Sequence, residues 1–420
     1  MVPSDWERTS FGLLAEFRNG LNFTKADQGE AIKIVGVADF KDHSSLSSLD
    51  NLSVISVSNT VKDNDLIKSG DVLYVRSNGN KDLIGRCLFF PEVTEKLSFS
   101  GFTIRGRVTS KAILPNYLAL LSRSEIVKQQ FSKNGGGTNI SNLSQQILND
   151  VVIPLPSIEE QRKIAKILST WDKAITSTEK LIETSKQQKK ALMQQLLTGK
   201  KRLVNPETGE MFEGEWEEVE LSYFFDRVTE KNKGQSTNVV TISAQHGLIR
   251  QEEFFKKSVA SETLDNYFIL RKGQFAYNKS YSNGYPMGAI KRLNRYEDAV
   301  VTSLYICFEL KNEQMASSCF MEQYFESGLL NRGLTKVAAE GGRAHGLLNV
   351  KPADFMALAI TAPQLNEQQK IASVLTTADK EIEALQAKLT HFKQEKKALM
   401  QQLLTGKRRV KVNLDMEIAI

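Results

Sequence analysis

An internal repeat dominates this sequence of 420 residues. Residues 156–202 align without a gap on residues 363–409 at a constant offset, 363 − 156 = 207, and about half of the aligned positions are identical. Both copies end in the same run, KKALMQQLLTGK, followed by basic residues. Self-similarity at a fixed offset indicates a duplicated structural unit. The chain is therefore predicted to consist of two related halves of about 210 residues. Each half has a variable part followed by a helical part that is closely similar in the two copies.

Each repeated segment has the pattern of a long coiled-coil helix. Apolar residues recur in alternating steps of four and three, so one apolar seam follows each helix, which would be roughly 60 Å long at 1.5 Å per residue. Lys189 and Lys396 interrupt the seam at equivalent places and would fix its register at some cost in stability. Gly199 and Gly406 are typical helix C-terminal caps. The predicted seam comprises Ile164, Leu168, Trp171, Ile175, Ile182, Leu192, Leu196, Ile371, Leu375, Ile382, Leu385, Leu389, Phe392, Leu399 and Leu403.

The variable parts contain short β-type runs separated by turn residues and interrupted by helical stretches. The predicted class is α+β: two globular mixed α/β domains joined by two long antiparallel coiled-coil helices, with an internal pseudo-twofold duplication. The antiparallel arrangement follows because the short link from Gly199 to Glu213 must leave the second domain at the far end of the first helix. The predicted boundaries are 1–155 and 203–362 for the domains, 156–202 and 363–411 for the helices, and 412–420 for a tail. Predicted strands include Ile32 to Phe40, Asp71 to Ser77, Gly101 to Thr109, Asn238 to Ser243, Gly273 to Tyr277 and Val300 to Leu310, and predicted helices include Asn116 to Phe131 and Ser317 to Leu330.

The composition indicates the cellular compartment and the class of partner that the chain suits. A net charge of +6 and a pI near 8.9 are compatible with a nucleic-acid partner. Cys87, Cys307 and Cys319 form no CxxC pair, which favours a reducing, cytoplasmic location. No run approaches the roughly 18 apolar residues of a membrane span, and no secretory leader precedes Arg8, so no membrane partner is expected.

The sequence lacks the common catalytic and metal-binding motifs. It contains no Walker-type phosphate loop, no HExxH or paired Cys/His spacing, no GxSxG turn and no methyltransferase motif of the FxGxG or [ND]PP[YF] type. Each of the four histidines is expected to be a surface or structural residue. We therefore predict a chain without catalysis, metal or cofactor of its own, although a scattered nuclease triad of carboxylates and lysine stays open.

Two pairs of polar loops occupy corresponding places in the two halves and are candidate DNA contacts. One pair follows the strands that end near Val75 and Tyr277, and its Asn, Arg, Lys and Ser side chains can hydrogen-bond base edges and phosphates. The other pair is glycine-rich and precedes the long helices, where backbone N–H groups can hold phosphates. The alternatives are solvated turns for the first pair and plain hinges for the second. The candidate residues are Arg76, Ser77, Asn78, Asn80, Lys81, Thr138, Asn139, Asn278, Lys279, Ser280, Tyr281, Asn283, Arg343 and His345.

The basic ends of the two helices, near Lys200 and Lys407, are nearly identical between the copies. They suit a favourable interaction with the helix dipole, or the docking of one type of partner twice.

The arrangement resembles the specificity (S) subunit of bacterial type I restriction-modification enzymes over essentially the full chain. The motifs that carry the resemblance are Pro154-Leu155-Pro156 leading to Glu160-Gln161 and Ile164-Ala165, Pro363 leading to Glu367-Gln368 and Ile371-Ala372, and the Leu-Leu-Thr-Gly-Lys ends of both helices. The resemblance implies that residues 1–155 and 203–362 are target recognition domains, each reading half of a split double-stranded DNA target, while the helices set the spacer.

The same resemblance implies partner subunits. Two modification subunits would carry S-adenosylmethionine and methylate adenine N6, and two restriction subunits would cleave DNA with ATP and Mg. The family defines no invariant base-reading residues, so the loop residues above follow from chemistry and placement alone. Two other classes stay open: a stand-alone regulator that reads a bipartite operator, and a coiled-coil scaffold without a DNA role.

Overall fold

The structure is a computed structural model that describes residues 3–24, 29–40, 44–46, 48–57, 61–134, 142–255, 263–338 and 348–411. The chain divides into two compact units. Unit 1 consists of Met1–Glu179 with Lys388–Ile420, and unit 2 consists of Lys180–Ala387. Each unit therefore combines one variable part with a portion of both repeated helices.

Unit 1 is built on three small sheets. The four-stranded sheet has the order β2-β8-β5-β6, the three-stranded sheet β4-β3-β7, and β1 pairs with β9. The central strand of the first sheet, Val72–Val75, is buried along its whole length, as its uninterrupted apolar sequence predicts. The elements are β1 (Glu7–Ser10), β2 (Ala15–Asn19), β3 (Glu30–Val35), β4 (Ser53–Val57), β5 (Val72–Val75), β6 (Cys87–Phe89), β7 (Leu97–Phe99), β8 (Thr103–Val108), α1 (Pro115–Ser122), α2 (Glu125–Asn134), α3 (Gln145–Asn149) and β9 (Val152–Leu155), with short 3-10 turns at Phe11–Leu13, Val37–Asp39, Asp63–Asp65 and Lys81–Leu83.

Unit 2 repeats the central sheet of unit 1 in the order β11-β18-β15-β16 and adds the strand pairs β12-β13, β14-β17 and β10-β19. Four aromatic rings pack against one another on this sheet with centroids 5.2 to 5.8 Å apart: Phe225, Phe275 and Phe308 from its strands, and Phe325 from a helix. Such packing adds to simple area burial. The elements are β10 (Glu217–Glu220), α5 (Leu221–Phe224), β11 (Phe225–Val228), β12 (Val240–Ser243), β13 (Gly247–Arg250), α6 (Gln251–Phe254), β14 (Phe268–Arg271), β15 (Phe275–Asn278), β16 (Ala289–Arg292), β17 (Asp298–Val301), β18 (Ile306–Leu310), α7 (Ser318–Glu326), α8 (Asn331–Val337), α9 (Pro352–Met356) and β19 (Ala359–Ala362).

The two repeated segments are single helices, α4 (Ile158–Leu196) and α10 (Leu365–Leu403), of 39 residues each. That length corresponds to roughly 58 Å. Gly199 and Gly406 follow the helix ends with φ of 69° and 72°, the left-handed conformation that closes a helix C-terminus. Every side chain of the predicted seam is buried or half-buried.

In unit 1 the two helix segments run antiparallel. Asp172 binds the Lys396 ammonium and Glu179 binds Lys393 at 2.8 Å. The residue number in α10 thus decreases as the residue number in α4 increases, as in an antiparallel pair. In unit 2 the equivalent pair joins Lys189 Nζ to Asp379 Oδ1 at 2.5 Å. Each seam lysine is thus tolerated because a carboxylate from the neighbouring helix neutralises it.

Four predicted elements are wrong in extent. The predicted strand over 32–40 ends at Val35, because a 3-10 turn follows at Val37–Asp39 and Gly36 N donates to Asp39 Oδ2 at 2.8 Å. The predicted strand over 300–310 is two strands, β17 and β18, because Tyr305 N donates to Thr302 O at 3.1 Å and closes a turn between them. The predicted helix over 116–131 is broken into α1 and α2 at Arg123-Ser124, where the Ser124 hydroxyl donates to Leu121 O at 2.6 Å. The predicted helix over 317–330 ends at Glu326, since Gly328 follows with φ of 77°.

The three thiols differ in exposure, which predicts selective labelling. Cys87 and Cys307 are buried, and burial raises the pKa of both thiols, that of Cys307 to about 12. Since the thiolate is the reactive form, we expect an aromatic disulfide reagent at pH 8 to titrate one thiol in the folded chain, the exposed Cys319, and three after unfolding. Cys319→Ser should leave no fast-reacting thiol; rapid reaction of two thiols in the native wild type would contradict the described cores.

Candidate nucleic-acid interface

The first predicted polar loop leaves the end of β5 and is held by its backbone. Arg76 N donates to Phe102 O at 2.8 Å, and Leu143 N donates to Arg76 O at 2.8 Å. The Arg76 guanidinium donates to Gly101 O at 3.4 Å. The loop therefore lies against both the turn that precedes β8 and the chain that follows the glycine-rich segment. Thr138 and Asn139 of that segment lie outside the described residues.

The second polar loop leaves β15 at the equivalent place in unit 2. Leu348 N donates to Lys279 O at 3.0 Å, which repeats the bond from Leu143 to Arg76. Tyr281 stands out from this loop with 67% of its surface exposed. Arg343 and His345 lie outside the described residues. In both units, then, the polar loop is hydrogen-bonded to a residue that follows the glycine-rich segment in the chain, Leu143 or Leu348.

The loop asparagines serve partly as turn formers. Asn78 Oδ1 accepts from Asn80 N at 2.8 Å, Asn80 Oδ1 accepts from Asp82 N at 3.0 Å, and Asn278 Oδ1 accepts from Ser280 N at 3.1 Å. These contacts are the ones that the solvated-turn interpretation predicts. Contact with a ligand would therefore fall to the amide nitrogens and to the cations and hydroxyls of the loops, including Ser77, Lys81, Ser280 and Asn283.

Two nearby arginines of unit 1 are structural. Arg105 is 1% exposed and donates to the carbonyls of Asn64 and Leu66, and burial lowers its pKa. Arg107 forms two hydrogen bonds to the Asp71 carboxylate at 2.7 and 2.8 Å, and this bonding raises the pKa of the guanidinium. Neither guanidinium is free to bind a phosphate. The positive charge of the sequence therefore overstates the number of cations that this domain can offer to DNA phosphates.

The Glu-Gln motif at the start of each long helix has an internal role that sequence reasoning missed. Gln161 Oε1 accepts from Leu114 N at 2.9 Å, and Gln368 Oε1 accepts from Ser317 N at 2.9 Å. Glu160 and Glu367 receive Arg409 and Arg202, respectively, in two-pronged ion pairs. The motif thus fastens the start of each long helix to the globular part of the unit in which that start lies. The repetition of the Glu-Gln pair in both copies is the sequence feature that could have indicated this role.

Two exposed apolar side chains beside the polar loops were also missed. Phe102 is 64% exposed and Leu304 is 57% exposed, each at the tip of a turn that leads into the strand paired with the loop-bearing strand. A single apolar residue in a short loop carries no periodic signal, and only the equivalent placement in both halves could have identified it.

The described residues hold no group of three or more His, Cys, Asp or Glu side chains placed to bind a metal ion. None of the described helices combines the length and apolar character needed to cross a membrane.

Comparison with known proteins relates the chain to one group of proteins. Residues 3–186 match the family model described as the type I restriction modification DNA specificity domain. The protein assigned as the MjaX type I restriction enzyme specificity subunit of Methanocaldococcus jannaschii is 27% identical, covering 98% of this chain and 95% of its own. The type I restriction-modification S subunit of M. genitalium shares the fold with a TM-score of 0.54 at 12% identity, over 95% of this chain and 96% of that one. A chain from a structure concerned with complex assembly and conformational transition of the type I R-M system gives 0.57 at 16% identity, over 97% and 100% of the two chains.

These neighbours and the described elements confirm the predicted mixed α/β fold. The family match covers the first variable part and most of α4, and the full-length relative extends it over the second half. Residues 3–186 therefore match the DNA specificity domain of type I restriction-modification enzymes, and the chain over nearly its full length is similar to their specificity subunits.

Proposed function

We propose that this specificity subunit reads a bipartite double-stranded DNA target, one half with each variable domain. The observation that carries the proposal is the equivalent placement of a polar, cation-bearing loop in both units on domains of divergent sequence. Two domains that place their loops equivalently but carry different side chains suit two half-sites of different sequence. Reading of base edges by Asn, Arg, Lys and Ser is the chemistry that such loops provide.

The two long helices would join the recognition domains as an antiparallel coiled coil and set the unread spacer. Helices of roughly 58 Å are long enough to hold two domains about one turn of B-DNA, roughly 34 Å, apart. The ion pairs of Lys189 and Lys396 with Asp379 and Asp172 support this pairing, because they occur at equivalent positions and fix one register. The nearly identical basic helix ends would dock the modification subunits.

Catalysis would belong to the partners, in the cytoplasm. Two modification subunits would supply S-adenosylmethionine-dependent methylation of adenine N6, and two restriction subunits would supply ATP- and Mg-dependent cleavage. The absence of catalytic motifs from the sequence supports a chain with no cofactor of its own. A modest net charge of +6 suits this arrangement if the partners clamp much of the DNA backbone.

Methylome mapping tests the proposal. Deletion of the gene is expected to remove N6-methyladenine from a single split motif on both strands, and the intact gene, but not a copy with an early stop codon, should restore it. An unchanged methylome would contradict the proposal. A stand-alone regulator would instead bind DNA tightly as a purified single chain, and a scaffold would show no sequence preference in any subunit combination.

A further inference from the structure

Each unit presents one exposed apolar side chain from a tight turn next to its polar loop. In unit 1 the turn spans 100–103, closed by Thr103 N donating to Ser100 O at 2.8 Å. In unit 2 it spans 302–305, closed by Tyr305 N donating to Thr302 O at 3.1 Å. Phe102 and Leu304 occupy the same third position of these turns and are 64% and 57% exposed.

The turns are braced, so their apolar tips stay outside the cores. Gly101 N donates to Leu21 O at 2.7 Å, and a Cβ added to Gly20 would lie 2.3 Å from the carbonyl oxygens of Phe99 and Ser100. In unit 2 the buried ring of Tyr305 fixes the turn, with its hydroxyl 3.3 Å from Thr241 Oγ1. Neither tip can fold inward without loss of these contacts.

A cationic residue directly follows the loop-bearing strand in each unit. The pairing of Val75 with Thr103 continues to Arg76 and Phe102, which share the backbone hydrogen bond of 2.8 Å. In unit 2 the described pairing ends at Tyr277 with Ile306, and Lys279 and Leu304 each lie two residues beyond it. Both domains thus place a cation after the loop-bearing strand and an apolar side chain before the strand paired with it, although the residues themselves differ.

Single exposed apolar residues are common on protein surfaces and need no explanation by themselves. A pair at equivalent turns, each beside a cation and a polar loop, is a different observation. Proteins that deform DNA insert Phe or Leu between base steps while Arg or Lys holds the neighbouring phosphate. An unstacked base also offers a flat face against which an exposed aromatic ring or aliphatic side chain can be buried.

We propose that Phe102 and Leu304 are apolar wedges, each unstacking a base step in the half-site that its own unit reads. Arg76 and Lys279 hold the phosphate beside the opened step. This inference rests on the proposed function, because it assigns a contact within the same DNA-binding surface.

The test uses the full chain in complex with its modification subunits and a duplex that contains the split motif found by methylome mapping. 2-Aminopurine, whose fluorescence rises when it is unstacked, is placed at successive positions of each half-site. Binding of the wild-type complex should raise the signal at one step in each half-site. Phe102→Ala should remove the rise in one half-site and Leu304→Ala in the other, and each should weaken binding about tenfold.

Leu13→Ala and Tyr223→Ala are matched controls. Leu13 and Tyr223 are 73% and 50% exposed and lie at the opposite ends of the same sheets, next to the far ends of β8 and β18. Both controls should bind and unstack DNA like the wild type. A wild-type complex that binds the motif without any rise, or alanine variants that bind and unstack normally, would overturn the wedge assignment alone. A wild-type complex with no sequence preference would instead overturn the proposed function.

Discussion

Insertion of seven residues after Lys180 in α4 and after Ala387 in α10 is expected to abolish methylation of the native motif and to create methylation of a new one. The two positions are equivalent in the repeat, 180 + 207 = 387. A heptad preserves the apolar seam and adds about 10 Å of helix. Since B-DNA rises about 3.4 Å per base pair, the new motif should keep both half-sites and have a spacer longer by at most about 3 base pairs.

Methylome mapping of a strain whose only copy carries the double insertion gives the readout. An insertion of three residues at the same positions is the matched control, because it shifts the seam out of phase and should abolish methylation without creating a new motif. Methylation that persists at the native spacer in the heptad variant would show that the helices do not set it.

The long helices could be predicted from the sequence because their signal is local. A period of 3.5 residues and a glycine cap identify such a helix without knowledge of its partner. The carboxylates that neutralise the seam lysines could not be found in the same way. Asp172 and Asp379 lie outside the predicted seam, and their pairing depends on the register of a second helix that is distant in sequence.

The polar loops of the candidate site could be predicted from the sequence, but the turns beside them could not. The polar loops were found because they follow strands at corresponding places in both halves. The predicted strands over 101–109 and 300–310 include Phe102 and Leu304, whereas the structure has both residues in turns. The strand β8 begins only at Thr103, whose N–H closes a turn on Ser100 O, and β17 ends at Val301 before the turn that Tyr305 N closes on Thr302 O. Single turns of this kind have no periodic signature.

The ion pairs at the helix starts lead to the second large expected effect. Glu367 is 2% exposed and accepts from Arg202 Nε and from its terminal nitrogen, both at 2.7 Å. The same guanidinium donates to the carbonyls of Gly214 and Glu213 at 2.9 and 3.2 Å. One arginine therefore ties the chain after α4 to both the start of α10 and the entry to β10. Glu367→Ala would leave this partly buried cation without its carboxylate, and we expect about 3–5 kcal/mol less stability for unit 2.

Peptide-resolved hydrogen exchange measures this loss separately in each unit. Glu367→Ala should speed exchange in the core strands of unit 2, whereas Glu160→Ala, at the equivalent position, should do so in unit 1, where Arg409 and the Trp6 indole lose their acceptor. Lys393→Ala is the control, since its ion pair with Glu179 is exposed and should contribute under about 1 kcal/mol. Equal protection in wild type and Glu367→Ala would mean that the carbonyl contacts of Arg202 suffice, and that the repeated Glu-Gln motif acts through its glutamine.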